Sequence, residues 1–187
     1  MSVRINIEQT QYKELVSLAK QIKLVIFDVD GVLTNGGLYF DNHGEEYKVF
    51  NSKDGHGIRM LMDSGIEVAI ITGRTSKLLA HRAENLKIPK ENLYQGYRDK
   101  RPAFDDLLKT TGLNASEIAF VGDDVIDLPI MTQVGLPVAV ADAHWFVKEQ
   151  AKYTCQLDGG QGAVREFIEI VLDAQSKLDD MLESYLK

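Results

Sequence analysis

The stretch Leu24-Val25-Ile26-Phe27-Asp28-Val29-Asp30 decides the fold of this chain. Four apolar residues in succession are followed by two aspartates that lie two positions apart. An apolar run of this length indicates a strand that is buried on both faces, as the strands of parallel sheets are. The aspartates then lie where the chain leaves the sheet, and their spacing lets both face one pocket.

Further apolar runs of strand length recur along the chain, at 68–71, 118–121 and 136–140, with a weaker run at 93–95. Amphipathic helical patterns fall between them. Apolar strands that alternate with helices predict an α/β fold, with a three-layer, Rossmann-like parallel sheet covered by helices on both faces. Ligands of such sheets bind at the carboxyl ends of the strands, which is where the aspartates lie.

The stretch 37–51 departs from this alternation. Its apolar segments Leu38–Phe40 and Tyr47–Phe50 flank the turn residues 41–44, which predicts a β-hairpin after strand 1. Near the other end of the chain, apolar residues at helical spacing from Ala163 to about Leu186 predict a long or broken helix. Because neither a linker nor a repeat interrupts the chain, we expect residues 1–187 to form a single domain.

Composition limits the classes of function. The 187 residues carry a net charge of -7 and no cluster of Lys and Arg, which argues against a nucleic-acid partner. No segment approaches the roughly 18 apolar residues that span a bilayer. The N-terminal residues also lack the apolar core of a secretory signal, so we expect no membrane association and a cytoplasmic location. The only cysteine, Cys155, excludes an intrachain disulfide and a cysteine-based zinc site.

Polar side chains occupy other junctions between predicted strands and helices. Thr72-Gly73-Arg74 follows one strand, Asp123 and Asp127 follow another, and Lys100 precedes a helix. Carboxylates, a hydroxyl and a lysine are the groups that phosphoryl transfer needs, because charge neutralisation and positioning supply most of the catalysis. Clustered aspartates bind Mg2+ through hard oxygen ligands, Lys100 can balance the remaining negative charge, and Thr72 can donate to phosphoryl oxygens.

At these positions the sequence resembles the haloacid dehalogenase superfamily, whose pattern is Asp-x-Asp, then Thr or Ser, then Lys, then Gly-Asp-x-x-x-Asp, each at a strand end. The match runs in order from Asp28 to Asp127. The resemblance implies that Asp28 is the nucleophile, that Asp30 is the general acid and base, and that Thr72 and Lys100 bind phosphate. An Asp-x-Asp pair alone is often only a polar turn, whereas the ordered set of four motifs is far more specific.

The same resemblance implies a Mg2+ ion as the cofactor. Its ligands would be the carboxylate of Asp28, the backbone carbonyl of Asp30 and the carboxylate of Asp123. Asp127 is expected to support the site indirectly, and the role of Asp124 stays open.

Five longer strings resemble one capless family within the superfamily, the 3-deoxy-D-manno-octulosonate 8-phosphate phosphatases. These strings lie at 28–34, 50–58, 71–74, 122–129 and 159–166. The resemblance implies a phosphoric monoester hydrolase that cleaves this sugar phosphate with Mg2+ through an aspartyl-phosphate intermediate, in lipopolysaccharide biosynthesis. It also implies a homotetramer in which hairpin 37–51 of one subunit closes the site of a neighbour, with the C-terminal tail as a possible addition to the lid.

The positions at which the superfamily inserts a cap domain are short in this chain, so we expect an open site in an isolated subunit. The hairpin carries more large apolar side chains than a solvated two-stranded ribbon can bury. Packing of the hairpin on a neighbouring subunit would explain both features.

A sugar-acid substrate carries a carboxylate besides its phosphate and therefore calls for additional cations. Arg74 is the first candidate, and Gly73, Thr34 and Asp54 complete the predicted substrate-binding set. Thr34 could instead serve the loop after strand 1, and Asp54 could cap the helix that follows it. Weaker candidates, each with an ordinary surface or capping role as the alternative, are Lys53, His56, Arg82 and Arg165.

Two other functions stay open at this point. The motifs do not separate an eight-carbon substrate from a nine-carbon ulosonate 9-phosphate, because chemistry and substrate grip lie on different residues. Related domains also occur as non-catalytic assembly modules. Such a module would tolerate losses in the metal-binding set, yet Asp28, Asp30, Lys100 and Asp123 are all present.

Overall fold

The computed structural model describes residues 9–186. Its strands are β1 (Leu24–Phe27), β2 (Tyr39–Phe40), β3 (Glu46–Tyr47), β4 (Glu67–Thr72), β5 (Leu93–Gln95), β6 (Ile118–Gly122), β7 (Leu136–Ala139) and β8 (Tyr153–Thr154). Its α-helices are α1 (Gln9–Ala19), α2 (Ser52–Asp63), α3 (Lys77–Leu86), α4 (Arg101–Thr111), α5 (Leu128–Met131), α6 (Trp145–Gln150), α7 (Ala163–Ala174) and α8 (Leu178–Ser184).

Six parallel strands form the main sheet, in the order β5-β4-β1-β6-β7-β8. The strand that opens the Asp-x-Asp motif, β1, lies in the middle and pairs with β4 on one side and β6 on the other. All four of its residues are buried, as the unbroken apolar run predicts. The α/β fold is therefore confirmed, and the carboxyl ends of β1, β4 and β6 meet at one edge of the sheet.

Helices flank this sheet in two groups. One group consists of α1, α2 and α7, which contact one another through α7, and the other consists of α4, α5 and α6. The predicted C-terminal helix is broken: α7 ends at Ala174, Ser176 takes a left-handed conformation with φ 58°, and α8 begins at Leu178. No helix within residues 9–186 combines the length and the apolarity that crossing a membrane requires.

The predicted hairpin is present as the antiparallel pair β2–β3. Its turn is held by Asp41, whose carboxylate accepts hydrogen bonds from the backbone N–H groups of His43 and Glu45. The paired strands are only two residues long each. The large apolar side chains of the hairpin lie exposed to solvent in the isolated chain, namely Leu38, Tyr39, Phe40, Tyr47 and Val49.

A glycine turn before α7 packs against the loop that follows β1. The N–H of Gly160 donates a 2.9 Å hydrogen bond to the carbonyl of Val32. At Gly159, a Cβ atom would lie 1.7 Å from the carbonyl oxygen of Gly31, so only glycine permits this approach. The turn therefore fixes the loop that carries Asp30.

Candidate active site

Three carboxylates converge at the carboxyl edge of the two central strands. Asp28 follows β1, while Asp123 and Asp127 follow β6, and one oxygen from each lies within 4.8 Å of the others. Lys100, directly before α4, reaches between them: its Nζ lies 2.7 Å from Asp28 Oδ1 and 2.6 Å from Asp127 Oδ1. The ammonium group thus holds one oxygen of Asp28 in place.

Burial and crowding of negative charge set the protonation of this cluster. Burial, followed by the charge of Asp127, raises the pKa of Asp28 to about 7. Burial and the charges of Asp127 and Asp28 raise the pKa of Asp123 to about 8. Burial alone would lower the pKa of Lys100, but the charges of Asp28 and Asp127 outweigh it and raise the pKa. When all three aspartates are ionised, their negative charge exceeds what Lys100 can balance, and the raised pKa values reflect this excess.

The residues fit a hard divalent cation such as Mg2+. Every side chain of the cluster offers carboxylate oxygen, which is the ligand that Mg2+ prefers. Asp123 Oδ1 is buried and has no hydrogen-bond partner within the described part of the chain. A buried oxygen without a partner is costly, and a cation at this position would satisfy it.

Gly31 brings the loop after β1 against Asp123. Its φ is +96°, a left-handed conformation, and a Cβ atom built on it would lie 2.1 Å from Asp123 Oδ2. Glycine at this position therefore lets the loop backbone approach Asp123, the predicted metal ligand.

Asp127 supports the site through hydrogen bonds to both of its carboxylate oxygens. Its Oδ2 accepts hydrogen bonds from the backbone N–H groups of Asp123, at 3.0 Å, and Asp124, at 3.3 Å, while Oδ1 accepts from Lys100. Asp124 is exposed, and its carboxylate accepts a 2.7 Å hydrogen bond from the N–H of Val125. Asp124 thereby caps the 3-10 turn at Val125–Asp127.

Thr72 and Arg74 lie at the end of β4, beside the end of β1. Thr72 is buried, and its Oγ1 lies 3.4 Å from the N–H of Arg74. The Arg74 guanidinium donates to Glu46 Oε1 at 2.8 Å, and its Nε lies 3.8 Å from Asp30 Oδ2. A Cβ atom at Gly73 would make only ordinary contacts, so no steric demand explains that glycine.

Two hairpin residues belong to the rim of this site, and sequence reasoning missed both. The ammonium of Lys48 contacts Asp30 Oδ1 and lies 3.4 Å from Glu46 Oε1. Glu46 in turn accepts a hydrogen bond from the guanidinium of Arg74. The available signal was the single lysine within the apolar segment Tyr47–Phe50, but a solvent-facing lysine gives the same pattern.

Thr34 and Asp54 have structural partners. The buried Thr34 hydroxyl accepts hydrogen bonds from the N–H groups of Gly31 and Gly36 and donates one to the carbonyl of Val29. This placement favours the loop role over substrate contact.

Asp54 lies in the first turn of α2 and does not cap that helix. Its Oδ1 accepts a 2.8 Å hydrogen bond from the N–H of Arg165 in the first turn of α7, and the N-cap of α2 is Asn51. The capping alternative for Asp54 is therefore wrong, because Asn51 already supplies the N-cap of α2.

The weaker candidates sit around α2 and α7. Arg82 lies over the Phe50 ring at 5.7 Å, and Arg165 pairs with Glu169 at 2.6 Å. The His56 ring contacts that of Tyr185 with centroids 5.4 Å apart. Lys53 is exposed. The contacts of Arg82 and Arg165 account for both cations without a substrate.

Comparison with known proteins shows the family and the fold. The family of haloacid dehalogenase-like hydrolases matches residues 91–168. The 3-deoxy-D-manno-octulosonate 8-phosphate phosphatase of Yersinia pestis is 50% identical over 166 residues, which cover 89% of this chain and 88% of that protein. Its crystal structure superposes with a TM-score of 0.87 and covers 89% of each chain.

Two further solved structures carry ions. The phosphatase of the same name from Moraxella catarrhalis, in complex with a magnesium ion, a phosphate ion and a KDO molecule, is 37% identical with a TM-score of 0.89 and covers 92% of this chain and 98% of that one. The cobalt-bound phosphatase from Haemophilus influenzae is 42% identical with a TM-score of 0.86, covering 91% and 99%.

Proposed function

We propose that this chain, which belongs to the 3-deoxy-D-manno-octulosonate 8-phosphate phosphatase family of the haloacid dehalogenase-like hydrolases, hydrolyses 3-deoxy-D-manno-octulosonate 8-phosphate with Mg2+. One observation carries the proposal: a buried lysine holds the carboxylate of Asp28 beside two further aspartates at the carboxyl edge of the sheet. A non-catalytic assembly module would have no need to keep this buried, charged set.

In the first step, Asp28 attacks phosphorus and the bond between phosphorus and the sugar oxygen breaks. Lys100 holds Oδ1 of Asp28, so Oδ2 is the attacking oxygen. Asp30 gives its proton to the leaving sugar oxygen. The Thr72 hydroxyl and the backbone N–H groups beside it donate to the phosphoryl oxygens, whose charge spreads during the transfer.

In the second step, water attacks the phosphorus of the aspartyl-phosphate, and Asp30 takes the proton of that water. Inorganic phosphate leaves and the carboxylate of Asp28 is regenerated. The ion pair of Lys100 with Asp127 keeps the ammonium beside Asp28. The two roles of Asp30 in succession restore the site to its starting protonation state.

Asp28, the backbone carbonyl of Asp30 and Asp123 would hold the Mg2+. When bound, the ion supplies positive charge against the phosphate and the carboxylates. The orphaned Oδ1 of Asp123 and its raised pKa support its assignment as a ligand.

Recognition of the sugar acid is assigned to the mouth of the site. Arg74, partly exposed beside Asp30, is the proposed partner for the substrate carboxylate. The free sugar acid that leaves the site would enter lipopolysaccharide biosynthesis, and the chain would act in the cytoplasm.

The functional unit is proposed to be a homotetramer of single-domain subunits, with hairpin 37–51 over a neighbouring site. The exposed apolar side chains of the hairpin support this assembly, because they do not stabilise an isolated two-stranded ribbon but could be buried against a neighbouring subunit. A second set of exposed apolar side chains lies in the 3-10 turn after β6 and in α6, at Val125, Ile126, Trp145 and Phe146. Light scattering after size exclusion tests the assembly: Phe40→Glu should yield smaller species, whereas an unchanged tetramer would separate the hairpin from assembly.

The function is tested by phosphate release with Mg2+ from the eight-carbon phosphate and from a nine-carbon ulosonate 9-phosphate. We expect kcat/KM to favour the eight-carbon ester by at least about tenfold, on the order of one lost or misplaced polar contact. A preference for the nine-carbon ester would overturn the substrate. No release from any sugar phosphate, with the assembly intact, would favour the non-catalytic module.

A further inference from the structure

Lys48 is an inward-facing cation in an otherwise exposed segment. Its neighbours Tyr47 and Val49 are exposed, whereas the side chain of Lys48 is only 2% exposed. A lysine with this degree of burial requires anionic partners. It has two: Asp30 Oδ1, which it contacts, and Glu46 Oε1 at 3.4 Å.

The two oxygens of Asp30 have different surroundings. Oδ1 accepts the hydrogen bond from Lys48. For Oδ2, the nearest ion-pair partner is Arg74 Nε at 3.8 Å, which is beyond hydrogen-bond range, and no hydrogen bond to Oδ2 is found within residues 9–186. One oxygen of Asp30 is therefore anchored, and the other is available.

This asymmetry suits a residue that must hand over a proton in one direction. On the basis of the function proposed above, we propose that Lys48 is a positioning residue for Asp30, anchoring Oδ1 so that Oδ2 faces the leaving oxygen. Proton transfer requires heavy atoms about 2.6–3.2 Å apart, and a freely rotating carboxyl group meets that condition only part of the time. Glu46, which Arg74 holds at 2.8 Å, keeps Lys48 within reach of Asp30.

The test uses two substrates that differ only in their leaving group. Phenyl phosphate has a basic leaving oxygen and needs the proton from Asp30, whereas p-nitrophenyl phosphate departs without it. Neither offers sugar hydroxyls, so loss of a sugar contact cannot imitate the effect. Because kcat/KM reports steps up to the first irreversible one, it isolates the proton donation and omits hydrolysis of the intermediate.

We expect Lys48→Met to lower kcat/KM for phenyl phosphate by about tenfold or more, and for p-nitrophenyl phosphate by less than about threefold. Asp30→Asn should lower kcat/KM for phenyl phosphate with the same selectivity. The double variant Lys48→Met/Asp30→Asn should show no further loss, because both residues act through one proton transfer. Lys48→Gln, which keeps a neutral donor, should fall between the wild type and Lys48→Met. Lys152→Met serves as the matched control, because Lys152 is an exposed lysine paired with Glu14 far from the site.

Equal losses on both esters would overturn the proposal, because they would mean that Lys48 only keeps the hairpin or the site folded. Unchanged kinetics in Lys48→Met, or a further loss in the double variant, would overturn it as well. If Lys48→Met does not fold by circular dichroism, the Lys48→Gln comparison decides by the same criterion. A wild type that hydrolyses neither ester with Mg2+ would instead contradict the proposed function.

Discussion

Lys100 donates a 2.6 Å hydrogen bond to Asp127, and both side chains are completely buried. The second oxygen of Asp127 accepts hydrogen bonds from the N–H groups of Asp123 and Asp124. One aspartate therefore ties the cation that holds the proposed nucleophile to the loop that carries the proposed metal ligand. Removing it should disturb all three at once.

Asp127→Ala should lower the free energy of unfolding by about 3–5 kcal/mol, because it leaves the buried Lys100 with one fewer partner and frees two backbone N–H groups. Denaturant unfolding of the variant and the wild type measures this. Asp124→Ala is the matched control, since it removes only an exposed cap, and it should cost about 1 kcal/mol. Equal costs for the two variants would contradict the supporting role of Asp127.

Mg2+ should stabilise the protein more at pH 8 than at pH 5. Asp28 and Asp123 have pKa values of about 7 and about 8 in the metal-free fold, above their ordinary value of 3.8. Carboxyl groups with raised pKa values stabilise the fold fully below 3.8, and that contribution is lost as pH rises through 7 and 8. Protons also compete with the metal at low pH.

The difference in Tm between samples with Mg2+ and with EDTA, measured by calorimetry across this range, should therefore widen as pH rises. In Asp123→Asn the difference should be small at every pH. If the Tm difference of the wild type stays constant or narrows as pH rises, these carboxyl groups do not bind the ion.

Gly31→Ala should weaken Mg2+ binding by at least about tenfold, because its Cβ atom would collide with the Asp123 carboxylate. Isothermal titration measures the affinity. Gly65→Ala is a suitable control: Gly65 has φ +84°, yet nothing lies within 4 Å of its added Cβ. Gly65→Ala should lose some stability and keep its affinity for Mg2+. If both variants lose Mg2+ affinity to a similar extent, backbone strain alone explains the effect of Gly31→Ala.

Asp54→Ala should lower the free energy of unfolding by about 1–2 kcal/mol while KM for the sugar phosphate stays within about twofold. The carboxylate joins α2 to the first turn of α7 and is buried away from solvent. Asp54→Asn keeps an acceptor and should recover most of the stability. A large rise in KM without loss of stability would instead support the predicted role of Asp54 in substrate binding.

Residue pattern alone was enough to predict the sheet and the cluster at its edge. Buried strands such as β1 require continuous apolar runs, and parallel pairing brings their carboxyl ends together. The sequence pattern therefore predicts that Asp28, Thr72, Lys100 and Asp123 lie together, and their roles stay predictions.

The partners of Lys48 and Asp54 could not be predicted in this way. Lys48 of the hairpin contacts Asp30 of the loop after β1, and Asp54 contacts Arg165, 111 residues later. Both contacts depend on how elements pack, and neither leaves a periodic pattern. The edge strand β8 was missed for a related reason, since two residues cannot show an apolar run.

The central claim is that phosphate passes through a covalent bond to Asp28. Rapid acid quench of the wild type with substrate labelled in its phosphate should leave label on the protein during turnover, and Asp28→Asn should show neither label nor measurable turnover while keeping its assembly state. Removing a catalytic nucleophile lowers kcat by roughly a millionfold. If kcat of Asp28→Asn stays within about tenfold of the wild-type value, the account is contradicted.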